Sequence, residues 1–413
     1  MTDTTPRCRF CDALLRHVFI DLGLSPLANR NLRADEVATE KKYPLIVRVC
    51  ETCLLVQADE YAAPDEIFSD YDYLSSTSSG WMAHARAYCS AMAKRFRLGA
   101  DSIVVEIASN DGYLLHNFVE MGVPVLGVEP ARNVADIAIA AGVPTEAVFF
   151  GVETAREIAE RGRKADLMVA NNVLAHAPNT RDFVGGFAEL LAPEGVATFE
   201  FPHVMNLIDQ VQFDTIYHEH FFYLSLYAVE KIMASQGLRV FDVDELPTHG
   251  GSLRLFVCHD AAAHPPTPAL DRLRACERAK RLDTVDGYLG FETRAAKVKA
   301  DFLAFLARAE GEGKVVAGYG AAAKGSTFLN YCGVGAPRLV EIYDRSATKQ
   351  GKLAPGSHIP IYDPACARKT KPDYVVILPW NIADEVRESL AYISEWGGKF
   401  VTAVPEPRIY EAD

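Results

Sequence analysis

The densest chemistry in this chain lies in Phe213-Asp214-Thr215-Ile216-Tyr217-His218-Glu219-His220-Phe221-Phe222-Tyr223. Imidazoles, carboxylates and phenols sit there among aromatic residues. A neutral imidazole beside a carboxylate and a phenol is a ready proton acceptor, so general acid–base work is the leading expectation. A buried structural His/Glu network is one alternative and a metal pair another. On a strand His218 and His220 would share a face, although the helical zinc motif needs i, i+4 spacing. A second reactive set opens the chain: Cys8/Cys11 and Cys50/Cys53, spaced C-x2-C-x38-C-x2-C. Each pair puts two thiolates on one knuckle, and two knuckles complete a tetrahedron. Four sulfur ligands leave no open coordination position, so a zinc ion there folds the segment and is not catalytic. Cys89, Cys258, Cys276, Cys332 and Cys366 are scattered and read as buried thiols.

These groups need a scaffold, and the apolar pattern supplies one. Ile103 to Ala108 is a short β-branched run, read as a buried parallel strand. It breaks into Ser109-Asn110-Asp111-Gly112 and then opens a helical pattern. Strand, small-residue turn and helix expose backbone N–H groups to a ligand. A second strand, Val125 to Val128, ends in Glu129, placed to accept both ribose hydroxyls of an adenosine. Further strands are read at Asp166–Ala170, leading into Asn171, Asn172 and His176, and at Val196–Pro202. Strands alternating with helices give a doubly wound sheet. The turn lacks G-x-G-x-x-G, with Ala108 and Asn110 where glycines are usual, and carries acids at both ends. Carboxylates there repel a pyrophosphate and suit a cofactor with a cationic amino acid portion. S-adenosylmethionine (SAM) fits, and the segment resembles class I SAM-dependent methyltransferases. The expected cofactor contacts are Glu106, Ala108, Ser109, Asn110, Gly112, Glu129, Asn171 and Asn172.

Toward the C-terminus, Val315 to Gly325 is again strand, glycine turn and helix. A later strand, Leu339–Asp344, ends in an acid. Read alone, the region suggests NAD and an oxidoreductase or epimerase. The favoured reading is a contact from Lys324 to a substrate diphosphate, with a purely structural domain as the alternative. A strand at Tyr374–Trp380 precedes a helix over Ile382–Trp396, and Trp380 and Asn381 lie beyond its carboxyl end, where ligands bind. One or two connecting helices are expected, over Asp271–Arg281 and Tyr288–Arg308.

Taken together, CxxC…CxxC, EIASNDG, NNVLAH, FDTIYHEH and His249-Gly250-Gly251-Ser252-Leu253-Arg254 resemble the nucleotide-sugar C-methyltransferase family over nearly the whole chain. The resemblance implies an α/β chain of three parts: a small zinc-binding N-terminal module, a central class I SAM methyltransferase doubly wound sheet, and a C-terminal Rossmann-like α/β domain. The corresponding spans are 1–70, 71–265 and 311–413, with a helical connection at 266–310. It also implies SAM and structural zinc as cofactors. The substrate would be a nucleotide-diphosphate 4-keto-deoxysugar, thymidine-linked and methylated at C3 through an enolate. His220 would be the general base, with Glu219 orienting it or the sugar. Tyr217 would donate to the keto oxygen and His176 would be a second donor or sugar contact. Tyr71 would wall the sugar, and Tyr73, His249, Arg254 and Lys324 would complete the substrate site. An O- or N-methyltransferase would account for the middle of the chain alone, and would not need the enolate-forming cluster.

Composition narrows the classes. The chain has 413 residues, 49% hydrophobic and 23% charged, with net charge −13. That balance fits a globular enzyme and argues against nucleic acid as a partner, which needs a clustered basic surface. The first 60 residues carry eight Lys/Arg against nine Asp/Glu, so the zinc module is not a basic reader. The polar N-terminus and the absence of a long apolar run point to a cytoplasmic protein without a membrane partner. The assembly state is not readable from these features.

Overall fold

The computed structural model describes residues 5–59, 74–77, 79–162 and 164–411. Tyr71 and Tyr73 lie outside the described residues. Three sheets organise the rest. The first is antiparallel: β1 (His17–Ser25), β2 (Tyr43–Val49) and β3 (Val56–Ala58), continued by β9 (Phe222–Tyr223). In β2 the apolar residues alternate, so Leu45, Val47 and Val49 are buried and Arg48 is not. The two cysteine knuckles flank β2 and β3, and Cys8, Phe10, Cys50 and Cys53 share a core with Phe221, Phe222 and Leu224.

The second sheet contains β4 (Val104–Ile107), β5 (Val125–Val128), β6 (Thr145–Glu146), β7 (Ala165–Asn171), β8 (Leu191–Pro202), β10 (Leu238–Leu246) and β11 (Ser252–His259). Their order is β10-β11-β8-β7-β4-β5-β6. The five strands from β8 to β6 run parallel, and β11 is antiparallel to both of its neighbours. All four residues of β4 are buried, as expected of a central strand covered on both faces. The third sheet contains β12 (Val316–Tyr319), β13 (Ile342–Tyr343), β14 (Ile361–Tyr362), β15 (Tyr374–Ile377), β16 (Lys399–Thr402) and β17 (Arg408–Tyr410), ordered β14-β13-β12-β15-β16-β17. Both larger sheets are doubly wound, and each has a switch point where strand order reverses: between β4 and β7, and between β12 and β15.

The expected connecting helices form slightly displaced, as Pro268–Ala279 and Phe291–Gly311. Pro268 takes the first helical position, where its missing N–H costs nothing. Phe291 stacks on Phe19 of β1 with ring centroids 4.4 Å apart. Burying each such side chain contributes about 1.5–3 kcal/mol. The helix therefore joins the zinc module to the C-terminal domain in one core. Among the described residues no helix is long and apolar enough to cross a membrane.

The strand geometry that the metal-pair alternative considered for His218 and His220 does not form. The Tyr217–His220 segment is a turn, closed by His220 N–H donating to the Tyr217 carbonyl at 2.9 Å, and the strand starts only at Phe222. His218 and His220 therefore share no strand face. His218 Nε2 bonds the Pro44 carbonyl at 3.1 Å, on the zinc-module side.

Candidate active site

The reactive segment is held from three sides. β9, directly after His220, pairs with β3, so that Gln57 lies opposite Phe222 and Val56 opposite Tyr223. Asn29 of the N-terminal module donates to the Glu219 carboxylate at 2.9 Å. From the C-terminal domain, Thr327 donates to the Ile216 carbonyl at 2.8 Å and the Trp380 indole N–H to Asp214 Oδ2 at 2.7 Å.

Within this frame the structure brings His220, His176 and Tyr217 together. The His220 ring lies 4.7 Å from that of His176 and 4.0 Å from that of Tyr217. Both histidines place Nδ1 against a carbonyl: His220 on Thr215 at 3.1 Å, His176 on Glu219 at 2.6 Å. A carbonyl only accepts, so Nδ1 carries the proton and Nε2 is the basic nitrogen in each. Burial, then the neighbouring His176, holds His220 well below the ordinary imidazole range, and burial brings His176 down to about 4. Both rings are neutral at ordinary pH. The Glu219 carboxylate is turned to Asn29 and burial pushes it up to about 7. The Thr215 carbonyl, rather than Glu219, orients His220.

The expected cofactor residues gather at the β4/β7 switch point. Ala108, Asn110 and Gly112 have φ of 53°, 51° and 78°, so two non-glycine residues adopt the left-handed backbone of a glycine loop. Asn110 N–H donates to Glu129 Oε2 at 3.0 Å and Ala131 N–H to Oε1 at 2.9 Å. Each Glu129 oxygen retains a lone pair. Ser75 and Ser76 cover the loop, donating backbone N–H groups to Asn110 and Asp111 at 2.9 and 3.1 Å. Glu106 Oε2, Ser109 Oγ, Asn171 Oδ1 and Asn172 Oδ1 are buried without hydrogen-bond partners. Burial, then Glu129 and Asp111, drives the Glu106 carboxyl well above its usual range. The loop thus lacks positive charge and has unused acceptors. SAM, with a cationic amino acid portion and ribose hydroxyls to donate, fits both, and Glu106, Glu129, Asn171 and Asn172 are placed where they would hold it.

Beside this loop lies a wall of which the sequence announced His249 but not Trp81 or His84. Trp81 stacks on His84 at 4.9 Å and lies 5.6 Å from His249. His249 has φ 55°, stands 3.5 Å from Asn172 Nδ2, and is brought by burial and by Lys324 down to about 4. Arg254, expected at the substrate, is placed elsewhere. Its guanidinium is 7% exposed and bonds Glu200 at 2.8 Å within the sheet, beside His84 at 3.2 Å. A buried guanidinium needs such a partner, and Arg254 Nε is left without one.

The four cysteine sulfurs lie within 4.8 Å of one another, with Cys8–Cys53 and Cys11–Cys50 at 3.5 Å. Tetrahedral zinc with ~2.3 Å bonds sets sulfurs about 3.8 Å apart, so the set fits. Gln57 adds an N–H to Cys8 Sγ at 3.2 Å and accepts from Arg9 N–H at 3.0 Å. This buried amide links the metal site to the strand that pairs with β9. Sequence reasoning missed Gln57, Asn29 and Trp81, whose contacts span 49, 190 and 168 positions. Asp214 stood inside the quoted motif, although its Trp380 partner was not foreseeable.

Residues 8–68 match the family model for a putative zinc binding domain, 81–243 a methyltransferase domain, and 247–405 a C-methyltransferase C-terminal domain. The chain is 37% identical over 408 residues to the C-methyltransferase NovU of Streptomyces niveus, covering 98% of this chain and 97% of that one. A ubiquinone biosynthesis O-methyltransferase of Bartonella bacilliformis is 26% identical over 94 residues, 22% of this chain and 38% of that one. Among solved structures, magnesium protoporphyrin IX methyltransferase of Synechocystis with bound SAM aligns with 15% identity over 47% of this chain and 88% of that one, at a TM-score of 0.33. The chain belongs to the zinc-binding, SAM-dependent C-methyltransferase family.

Proposed function

We propose that this C-methyltransferase acts on a nucleotide-diphosphate 4-keto-deoxysugar, thymidine-linked and methylated at C3, with His220 as the base that forms the enolate. The observation that carries the reading is the His220 imidazole, fixed by the Thr215 carbonyl with Nε2 as its basic nitrogen and its ring centroid 4.0 Å from that of Tyr217. Carbon methylation needs a carbanion, and a neighbouring ketone makes one accessible. A carbon acid is far weaker than an imidazolium, and each unit of mismatch costs about 1.36 kcal/mol. Donors aimed at the developing oxyanion must supply the difference. Tyr217 is the first such donor in this reading, and His176 contacts the sugar. Glu219, held by Asn29, accepts a sugar hydroxyl. Tyr71, Tyr73 and His249 wall the substrate. When bound at the Glu106–Glu129 loop, SAM supplies the electrophilic methyl group. The protein holds the enolate carbon in line with it, and such positioning can be worth about 7–11 kcal/mol.

An NAD-linked reaction at the C-terminal glycine turn has less support. Gly320 N–H is taken by the Tyr343 carbonyl at 2.7 Å and Ala321 N–H by Asp344 at 2.8 Å. A Cβ at Gly320 would meet Pro379 at 2.5 Å, so the glycine there serves packing rather than a pyrophosphate.

The test is turnover of a thymidine diphosphate 4-keto-6-deoxysugar with methyl-13C-labelled SAM. The expected product carries the label on a carbon-bound methyl at C3. An O-methyl signal, or turnover only of substrates without a nucleotide, overturns the reading.

A further inference from the structure

The helix Ala323–Cys332 lays one stripe of side chains on the segment that leads to the base. Thr327 Oγ1 bonds the Ile216 carbonyl, and the Phe328 and Tyr331 rings lie 5.8 and 5.0 Å from that of Phe213. Residues three, four and seven apart share a helix face, so Lys324 stands on this stripe, one turn toward the helix N-terminus. Its Nζ donates to Asn381 Oδ1 at 2.6 Å and lies 4.9 Å from the Trp380 ring. Trp380 is fixed by Asp214 on one side. On the other it packs so closely on Gly250 that a Cβ there would meet the ring at 2.4 Å. The turn carrying His249 is thereby closed onto the same cluster.

Lys324 is costly where it stands. Its stem is half-buried, burial lowers its basicity, and the first turn of a helix disfavours a cation. The carboxylate that acts on Nζ is Asp214, which offsets part of the burial cost and whose Oδ1 is left without a hydrogen-bond partner. The ammonium acts electrostatically on both His220 and His249. The first two N–H groups of the adjoining glycine turn are already bonded, so they form no phosphate cradle with it. Asp214 is tied to Trp380 and Nζ gives one N–H to Asn381, so the ammonium keeps donors for negative charge that develops during reaction.

We infer that Lys324 is a catalytic residue whose Nζ donates to the substrate's keto oxygen as that oxygen becomes an enolate, a role distinct from binding the diphosphate. The inference rests on the keto-sugar reading above. In the step, the C3–H bond breaks and its proton passes to His220 Nε2. The electron pair forms the C3–C4 double bond, and the carbonyl π pair moves onto oxygen against Lys324. C3 then attacks the methyl group; the sulfur–methyl bond breaks with its pair remaining on sulfur, and the ketone is restored.

The test is solvent deuterium exchange at C3 in the presence of S-adenosylhomocysteine, on wild type, Lys324→Met and Lys324→Arg, together with inhibition by thymidine diphosphate. At saturating substrate Lys324→Met should slow exchange by about 10²–10³-fold, the scale of a lost oxyanion donor. Lys324→Arg should restore part of the rate, and inhibition by thymidine diphosphate should stay within about threefold of wild type in both, on the scale of an uninvolved group. Unchanged S-adenosylhomocysteine binding identifies folded variants, and Lys324→Arg serves if the methionine variant fails to fold. Unchanged exchange at saturation with inhibition weakened tenfold or more overturns the assignment and places Lys324 at the diphosphate. Absence of exchange in wild type overturns the keto-sugar reading itself.

Discussion

The two doubly wound sheets share a strand plan but use their switch points in opposite ways. At β4/β7 the turn after the first strand is left-handed at 108, 110 and 112, and buried oxygens on Glu106, Ser109, Asn171 and Asn172 have no partner. At β12/β15 the corresponding turn is sealed by Asp344 and Pro379. What it offers instead are side chains just beyond it: Trp380, which bonds Asp214 of the reactive segment, and Lys324 and Asn381, which bond each other beside Trp380. The same topology can thus hold a cofactor or complete a neighbour's site. The difference lies in which polar atoms are left unsatisfied, because those need a ligand.

The zinc module touches both halves, so removing the metal should break the comparison altogether. A structural zinc is worth on the order of 10–16 kcal/mol to a small module. Chelation, or Cys50→Ser, should abolish methyl transfer and lower the Tm of the first unfolding transition, read by calorimetry. His220→Gln should come next, with kcat lower by about 10²–10⁴-fold and S-adenosylhomocysteine affinity unchanged. Sharpening the contrast between the switch points, Glu129→Ala should weaken S-adenosylhomocysteine binding by tenfold or more, since charge-assisted bonds of about 1.5–3 kcal/mol are lost. Asp344→Ala should leave that affinity intact and cost about 1–3 kcal/mol of stability by orphaning Ala321 N–H. Asn29→Ala should have the smallest effect. Glu219 is raised by burial to about 7 and Asn29 pulls it down, so losing the donor raises it further. If ionised Glu219 binds the sugar, kcat/KM falls as pH drops through about 7, and in the variant this limb moves up by less than about one unit, under ~1.4 kcal/mol.

Much of the fold was legible because the buried strands are short apolar runs bounded by turn residues. Val104–Ile107 and Tyr374–Ile377 form where the runs lie. The four cysteines were legible because coordination geometry restricts spacing. The loop at Ala108 and Asn110 was readable in chemistry but not in conformation, since alanine does not announce a left-handed backbone and asparagine only tolerates one. The shape of the His218–Glu219–His220 window was not legible, because tertiary bonds to Pro44, Asn29 and Thr215 decide it. Arg254 looked free in sequence because its partner Glu200 lies on a neighbouring strand 54 positions away. Local pattern carries the elements, and long-range partners carry the site.

The contrast between the switch points is tested most directly by calorimetric titration of wild type and Glu129→Ala with S-adenosylhomocysteine and, separately, with NAD. The account predicts one S-adenosylhomocysteine site that weakens at least tenfold in the variant, on the ~1.4 kcal/mol-per-decade scale, and no NAD binding to either protein. NAD binding that survives in Glu129→Ala and disappears on Gly320→Val would contradict it, and would make the C-terminal turn the cofactor site.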